Sequence, residues 1–234
     1  MTAQSEPLKG AAPQLKIAEK PGSNIIEYGR MICRAEADAI SGVAGLLDSA
    51  FVESVKLIVS RPSTGRIIAS GMGKAGFIAR KVYATFASIG ISSFFLHPAE
   101  ALHGDLGRFG EGDIALLFSN LGETPEIVRM LGSIKRMGCP VITVTGAPNS
   151  SLAKHSDHVI SIGKLQETGP LGLAPTTSTT AMLAVGDALA MTVLDQLGLT
   201  KEQFAQYHPA GSLGRQLTLV SELIRHGAEH AIVP

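Results

Sequence analysis

The sequence predicts an α/β protein, a three-layer αβα sandwich on a five-stranded parallel sheet of order 2-1-3-4-5. Three observations predict it. Between Arg66 and Leu197, short apolar segments of strand length alternate with segments whose apolar residues recur at helical spacing. Two of the apolar segments run into turns rich in glycine and hydroxyl side chains that open helices, at Ser70 to Gly76 and at Ser119 to Thr124. A 45% hydrophobic content can bury one sizeable core, which favours one domain over two.

Met1 to about Ser23 mixes Pro, Gly, Lys, Gln and Ala without periodicity, so residues 1–23 are expected to be a flexible extension ahead of a domain spanning 24–220. Ile25, Tyr28, Ile32, Ala35 and Ala39 begin a helical pattern that continues, after a break, to about Ser60. No strand precedes it, so this long helix needs a partner surface, and a second subunit is a candidate. The first strand is expected over Arg66 to Ser70, with a helix from Gly73 to about Ser88. A second strand follows over Ser92 to Leu96, and a short helix after Pro98. The central strand, Ile114 to Phe118, leads through the Ser119 loop into a helix marked by Ile127, Val128, Leu131, Ile134 and Met137. Val141 to Thr145 and Val159 to Ile162 complete the strands, with a short helix around Ser151 to His155 between them. Thr177 to Leu197 reads as a long apolar helix, and Lys201 to Gln206 as a short polar one before Tyr207-His208-Pro209-Ala210-Gly211.

Composition excludes several classes. Twenty basic and twenty acidic residues balance, so no cationic surplus points to nucleic acid or an anionic membrane. No uninterrupted apolar run reaches the ~18 residues a membrane span needs, and the first residues lack the apolar core of a secretory signal. A cytoplasmic protein is the expectation. Cys33 and Cys139 form no Cys-x-x-Cys pair and are read as two buried free thiols. His226 and His230 have the i, i+4 spacing of two ligands on one helical face. Without a third ligand they read as a solvated helix, and His155 and His158 as turn residues, so no metal is expected.

Ser119, Asn120, Gly122 and Thr124 place hydroxyls, an amide and unpaired backbone N–H groups where a helix dipole is positive, a favourable place for a phosphate dianion. Ser70-Gly71-Met72-Gly73-Lys74-Ala75-Gly76 contains G-x-G-x-x-G at a strand-to-helix turn. A dinucleotide fold would want an acidic residue at the end of the second strand, and Leu96-His97-Pro98 stands there instead. In the 2-1-3-4-5 order the crevice opens between strands one and three, so both loops should build one site. Thr176, Thr177, Ser178, Thr179 and Thr180 supply more hydroxyls than capping a helix requires.

These loops, together with P-A-E-A-L-H-G-D-L-G (98–107), P-L-G-L-A-P-T-T-S-T-T-A (170–181) and H-P-A-G-S-L-G-R (208–215), resemble the sugar isomerase (SIS) domain family. Within it, the chain is most similar to bacterial arabinose-5-phosphate isomerases. The resemblance covers roughly residues 25 to 220. It implies interconversion of D-ribulose 5-phosphate and D-arabinose 5-phosphate without an organic cofactor, feeding 3-deoxy-D-manno-octulosonate synthesis, by a homotetramer with shared active sites. Many members carry a pair of CBS domains; V-S-E-L-I-R-H-G near the end resembles the start of that extension, so 221–234 is expected to be a tail without the pair. Carried over by motif, the family's active-site lysine falls on Lys74, its histidines on His103 and His208, and its glutamates on Glu126 and Glu167. Phosphate would be held by Ser70, Ser119, Asn120 and Thr124, with the turn glycines Gly71, Gly73 and Gly122. The chain departs from the family in Leu121, where a second serine is usual, in Ala75 beside the lysine, and in Thr168-Gly169 after Glu167.

Moving a carbonyl between C1 and C2 requires taking a proton from carbon beside a carbonyl and returning it to the neighbouring carbon. Glu167, before the rigid Gly169-Pro170 turn, is the candidate shuttle, although a lone loop glutamate is more often solvated. His208 could open the furanose ring or polarise an oxygen. Lys74 sits in a helix first turn, where the dipole disfavours a cation unless an anion is near. His103 and Asp105 read equally as hydroxyl contacts or as loop-internal hydrogen bonds. A non-catalytic sugar-phosphate sensor and an isomerase of another phosphosugar are the competing readings.

Overall fold

The computed structural model describes residues 24–208. The extension 1–23, the Pro209 to Gly211 turn, the His226 and His230 pair and the tail 221–234 lie outside the described residues. Two helices come first, α1 (Ile25–Ala44) and α2 (Ser49–Ser60). The break between them is fixed at Asp48, whose side chain caps α2 by accepting from Ala50 N at 2.9 Å. Then follow β1 (Ile67–Gly71), α3 (Gly73–Ser88), β2 (Ser93–Phe95) and α4 (Pro98–Leu102). After them come β3 (Ile114–Phe118), α5 (Pro125–Arg136), β4 (Val141–Thr145), α6 (Ser151–Lys154), β5 (His158–Ser161), α7 (Thr177–Leu197) and α8 (Lys201–Gln206).

All pairings are parallel and the order is β2-β1-β3-β4-β5, the order expected. Strand β1 begins one residue later than predicted, β2 is shorter at both ends, and β5 is shifted one residue earlier. A 3-10 turn over Asp105–Arg108 was not expected. Alternation along each strand builds two cores. Ile67, Ala69, Ile114, Leu116 and Phe118 face α2, α3 and α7, whereas Ile68, Ala115 and Leu117 face α4 and α5.

Two polar ties set the strand positions. At the N-terminal edge the buried Asp113 carboxylate accepts from Arg66 N (2.8 Å), Arg66 Nη2 (2.6 Å) and Gly110 N (2.8 Å). At the other edge Ser70 Oγ donates to Leu96 O at 2.6 Å. Helix α7 is long and apolar enough to cross a bilayer, yet it lies against α3, α1 and α2 with nine of its residues buried, and its Asp187 pairs with Lys81.

One expectation is overturned here. Cys139 is buried, but Cys33 is exposed. Helix α1 buries only Val43 fully and leaves Ile25, Ile26, Tyr28 and Met31 outward, so the N-terminal part of its apolar surface lies off the core of its own chain.

Candidate functional site

The C-terminal edge of β1 and β3 opens into a cavity of about 380 Å³. Met72, Lys74 and Ala75 line it from the β1 turn, Ser119 to Leu121 and Glu123 to Pro125 from the β3 loop, Pro175 from the segment ahead of α7, and Ser178, Thr179 and Met182 from α7. The two loops singled out in the sequence therefore share one cavity, and the α7 hydroxyls join them. A neighbouring cavity of about 660 Å³ lies between Tyr28 and Ile32 of α1 and the 168–176 loop; Lys74 and Pro175 border both.

Three helices start at the first cavity's wall, α3 after Met72, α5 after Thr124 and α7 after Thr176, and none of the three is capped by the side chain of its own N-cap residue. Thr124 has its hydroxyl elsewhere, 3.0 Å from Ser119 Oγ, which also accepts from Gly122 N at 3.1 Å. Glycine is required at 122. Its φ is +65°, and a Cβ there would lie 2.0 Å from Ser150 Oγ. The N-termini of α3 and α5, a hydroxyl pair and an exposed ammonium group give this cavity the chemistry that suits an anion.

Glu167 occupies one of these helix starts. Its Oε2 accepts from Thr176 N (2.8 Å) and Ser178 N (3.2 Å), and Oε1 accepts from the Ser178 hydroxyl. Partial burial pushes this carboxyl up, but the Ser178 hydroxyl and the Thr176 and Ser178 N–H groups outweigh it and hold the carboxyl below the usual range. Glu167 is thus an anionic cap on α7, connected to the cavity wall through Ser178. Thr176 Oγ1 bonds the Thr168 hydroxyl at 2.7 Å and borders the second cavity. Thr177 Oγ1 is buried without a partner among the described residues.

Other residues fall outside the cavity. Ser70 is buried and its hydroxyl is taken by Leu96 O, so it staples β1 to β2. Gly71 and Gly73 line a smaller cavity on the β2 side. Glu126 is half-buried in the first turn of α5 and His103 is the exposed C-cap of α4; neither lines the cavity. His208 stacks on Phe204 with ring centroids 4.1 Å apart, and its Nδ1 lies 2.9 Å from Phe204 O. The adjacent Tyr207 packs on Gly90, ahead of β2, which puts His208 at the N-terminal pole of the sheet. The 21 residues of α7, about 30 Å of helix, separate that pole from Ser178. Sequence reasoning missed Glu123, whose Oε1 accepts from Ser151 N at 2.8 Å and so ties the β3 loop to α6. Its position after Gly122 in the loop was the available signal. Among the described residues, Lys74 and Glu123 are the titratable side chains that line the cavity.

The family model described as the SIS domain matches residues 62–192. Arabinose 5-phosphate isomerase KdsD of Salmonella typhi is 42% identical over 214 residues, 91% of this chain and 65% of its own length. The KdsD protein of Pseudomonas aeruginosa is 45% identical over 83% of this chain and 59% of its own length. The chain therefore spans less than two thirds of these relatives. Among solved structures, an E. coli CFT073 protein in complex with arabinose 5-phosphate is 39% identical, with a TM-score of 0.74 over 80% of this chain and 100% of that one. A candidate phosphosugar isomerase of capsule formation from Bacteroides fragilis is 40% identical, with a TM-score of 0.77 over 80% of this chain and 99% of that one.

Proposed function

This chain belongs to the SIS domain family, and from that premise we propose that it interconverts D-ribulose 5-phosphate and D-arabinose 5-phosphate through an enediol. The observation that carries the reading is the meeting of Lys74, the Ser119 and Thr124 hydroxyls and the Ser178 hydroxyl in one cavity at three helix N-termini. The names of the relatives, KdsD and the protein bound to arabinose 5-phosphate, supply the substrate class. Phosphate is assigned to Ser119, Thr124, Asn120 and the backbone around Gly122. Lys74 offsets the negative charge that develops on the enediolate oxygens. Glu167 carries the proton from one carbon to the next, reaching the cavity at Ser178. The reaction balances without an external electron donor, because the proton lost at one carbon is regained at its neighbour and the carbonyl and hydroxyl exchange places. The product would feed 3-deoxy-D-manno-octulosonate synthesis in the cytoplasm.

The cavity of one chain holds no histidine among its described lining residues, and His208 lies at the far pole. We therefore assign His208 to the site of a neighbouring subunit in a homotetramer. The outward apolar face of α1, with Leu171 and Leu173 beside it, supports that assembly.

The test is NMR of either pentose phosphate in D₂O. Interconversion with deuterium entering at one carbon is expected. Tight calorimetric binding of both sugars with no interconversion would favour the sensor reading and overturn this one. Turnover confined to another phosphosugar would replace the substrate.

A further inference from the structure

The glycines of the G-x-G-x-x-G turn do not all face the sugar-phosphate cavity. Gly71, Gly73 and Gly76 line a separate cavity of about 190 Å³ on the β2 side of the same turn, with Phe77, Arg80, Phe95 and His97. Its aromatic and cationic walls come from two elements, α3 and the end of β2. Arg80 lies over the Phe95 ring with its guanidinium carbon 3.9 Å from the centroid, and a guanidinium stacked on a ring keeps its N–H edge available to an anion. No ion pair among the described residues includes Arg80. His97 caps α4, its Nδ1 accepting from Ala99 N at 3.3 Å, so the ring proton of the neutral form belongs on Nε2, which is left as a donor. The His97 ring meets Phe95 edge-on at 6.2 Å. Phe77 is 70% exposed at the rim.

Two donors and an absence of carboxylates define what fits. Among the described residues the wall holds no acidic side chain to repel an anion, and the glycines bring backbone rather than Cβ atoms to the surface. The volume is too small for a dinucleotide, which removes the function the glycine pattern would otherwise suggest. A phosphoryl group is the size and charge that a guanidinium edge, an imidazole N–H and a glycine turn can hold together.

We propose that this crevice is a second phosphoryl-binding site, held by Arg80 and His97, with Phe77 positioned to cover an organic group attached to the phosphate. It goes beyond the isomerase reading and stands without it. Because Lys74 and Ala75 of the same turn line the main cavity, an anion bound on the glycine side shares one backbone segment with the sugar-phosphate site.

Calorimetric titration of the full chain with inorganic phosphate tests the proposal, using Arg80→Met, His97→Gln and the double variant Ser119→Ala, Thr124→Val. Two binding events per chain are expected. Arg80→Met should weaken one at least about tenfold, the loss of a charge-assisted hydrogen bond. His97→Gln should weaken the same event, and the double variant should weaken only the other. Circular dichroism is expected to be unchanged for Arg80→Met, since Arg80 is exposed. A single event lost in the double variant and untouched by Arg80→Met and His97→Gln overturns the proposal and leaves the isomerase reading standing. The reverse pattern keeps this site and removes the phosphate assignment from the main cavity. Repeating the titration with phenyl phosphate separates the two sources: tighter binding that Phe77→Ala abolishes identifies a phosphomonoester, and equal affinity identifies free phosphate.

Discussion

Lys74 is an exposed cation in the first turn of α3, where the helix dipole opposes it, and it stands on the wall of two adjoining cavities. Lys74→Met is expected to lower kcat by about 10²- to 10³-fold with a smaller change in KM, measured by steady-state kinetics on either pentose phosphate. Ser119→Ala with Thr124→Val removes the hydroxyl pair of the β3 loop, to which the phosphate is assigned in the proposed reaction. At roughly 1.5–3 kcal/mol for a hydrogen bond to a charged group, KM should rise at least tenfold while kcat changes less. Glu167→Gln should abolish turnover, because an amide cannot take up the proton that the carboxylate carries between the two carbons. The pH dependence has a definite sign. The folded-state pKa of Glu167 is depressed, so the capped arrangement is complete above the ordinary glutamate value of about 4.3 and is lost as pH falls through the lower folded value. Activity should therefore hold down to that region and fail below it, and a profile with Glu167 protonated near neutrality would contradict this assignment. That Lys74, Ser119 and Thr124 meet at one cavity was legible in the sequence, because short turns fix where consecutive residues point. The hydrogen-bond partners of Glu167 and Ser70 were not legible, since each depends on what a distant segment offers as donor or acceptor.

Between elements, the Asp113 carboxylate joins the start of β3 to the start of β1, and this sets how their opposite ends line up around the cavity. Burial pushes Asp113 up, and the Arg66 guanidinium with the Gly110 and Arg66 N–H groups outweighs it, leaving the carboxyl below its ordinary value. Its stabilisation is thus present above about pH 4 and lost as pH falls further. Asp113→Ala should cost about 2–3 kcal/mol, less than a fully buried pair because Arg66 remains 35% exposed, as read from urea unfolding. On the other face, Gly186 of α7 meets Val82 of α3 so closely that a Cβ would lie 2.3 Å from Val82 Cγ2. Gly186→Ala should destabilise by about 1–3 kcal/mol despite its better helix propensity, since a stiff β-branched neighbour in a closed core has nowhere to go. Strand and helix identities were readable from periodicity, with α3, β3, β4 and α7 close to their expected positions. The 3-10 turn at Asp105–Arg108 carried no periodic signal, and β2 lost residues at both ends because few of its neighbours pair with it at the sheet edge.

At the scale of the whole molecule, the apolar face of α1 and the distance of His208 from the cavity argue together for an assembly. Light scattering is expected to give an oligomer at micromolar concentration. Mixing inactive Lys74→Met with inactive His208→Ala chains should restore activity, because a hybrid can pair an intact lysine with an intact histidine from the other chain. A fully active monomer would sink this arrangement. By itself the sequence determined the doubly wound sheet, its strand order, the two loops of the crevice and the family, since period, turn chemistry and motif are local properties of a chain. Only the tertiary structure decided that α1 turns Ile25, Ile26, Tyr28, Met31 and Cys33 outward, that the Glu167 carboxylate caps α7, and that the glycines and the lysine of one turn face two different cavities. Those outcomes depend on which surfaces meet when elements far apart in the chain pack together, and no spacing along the chain encodes that meeting.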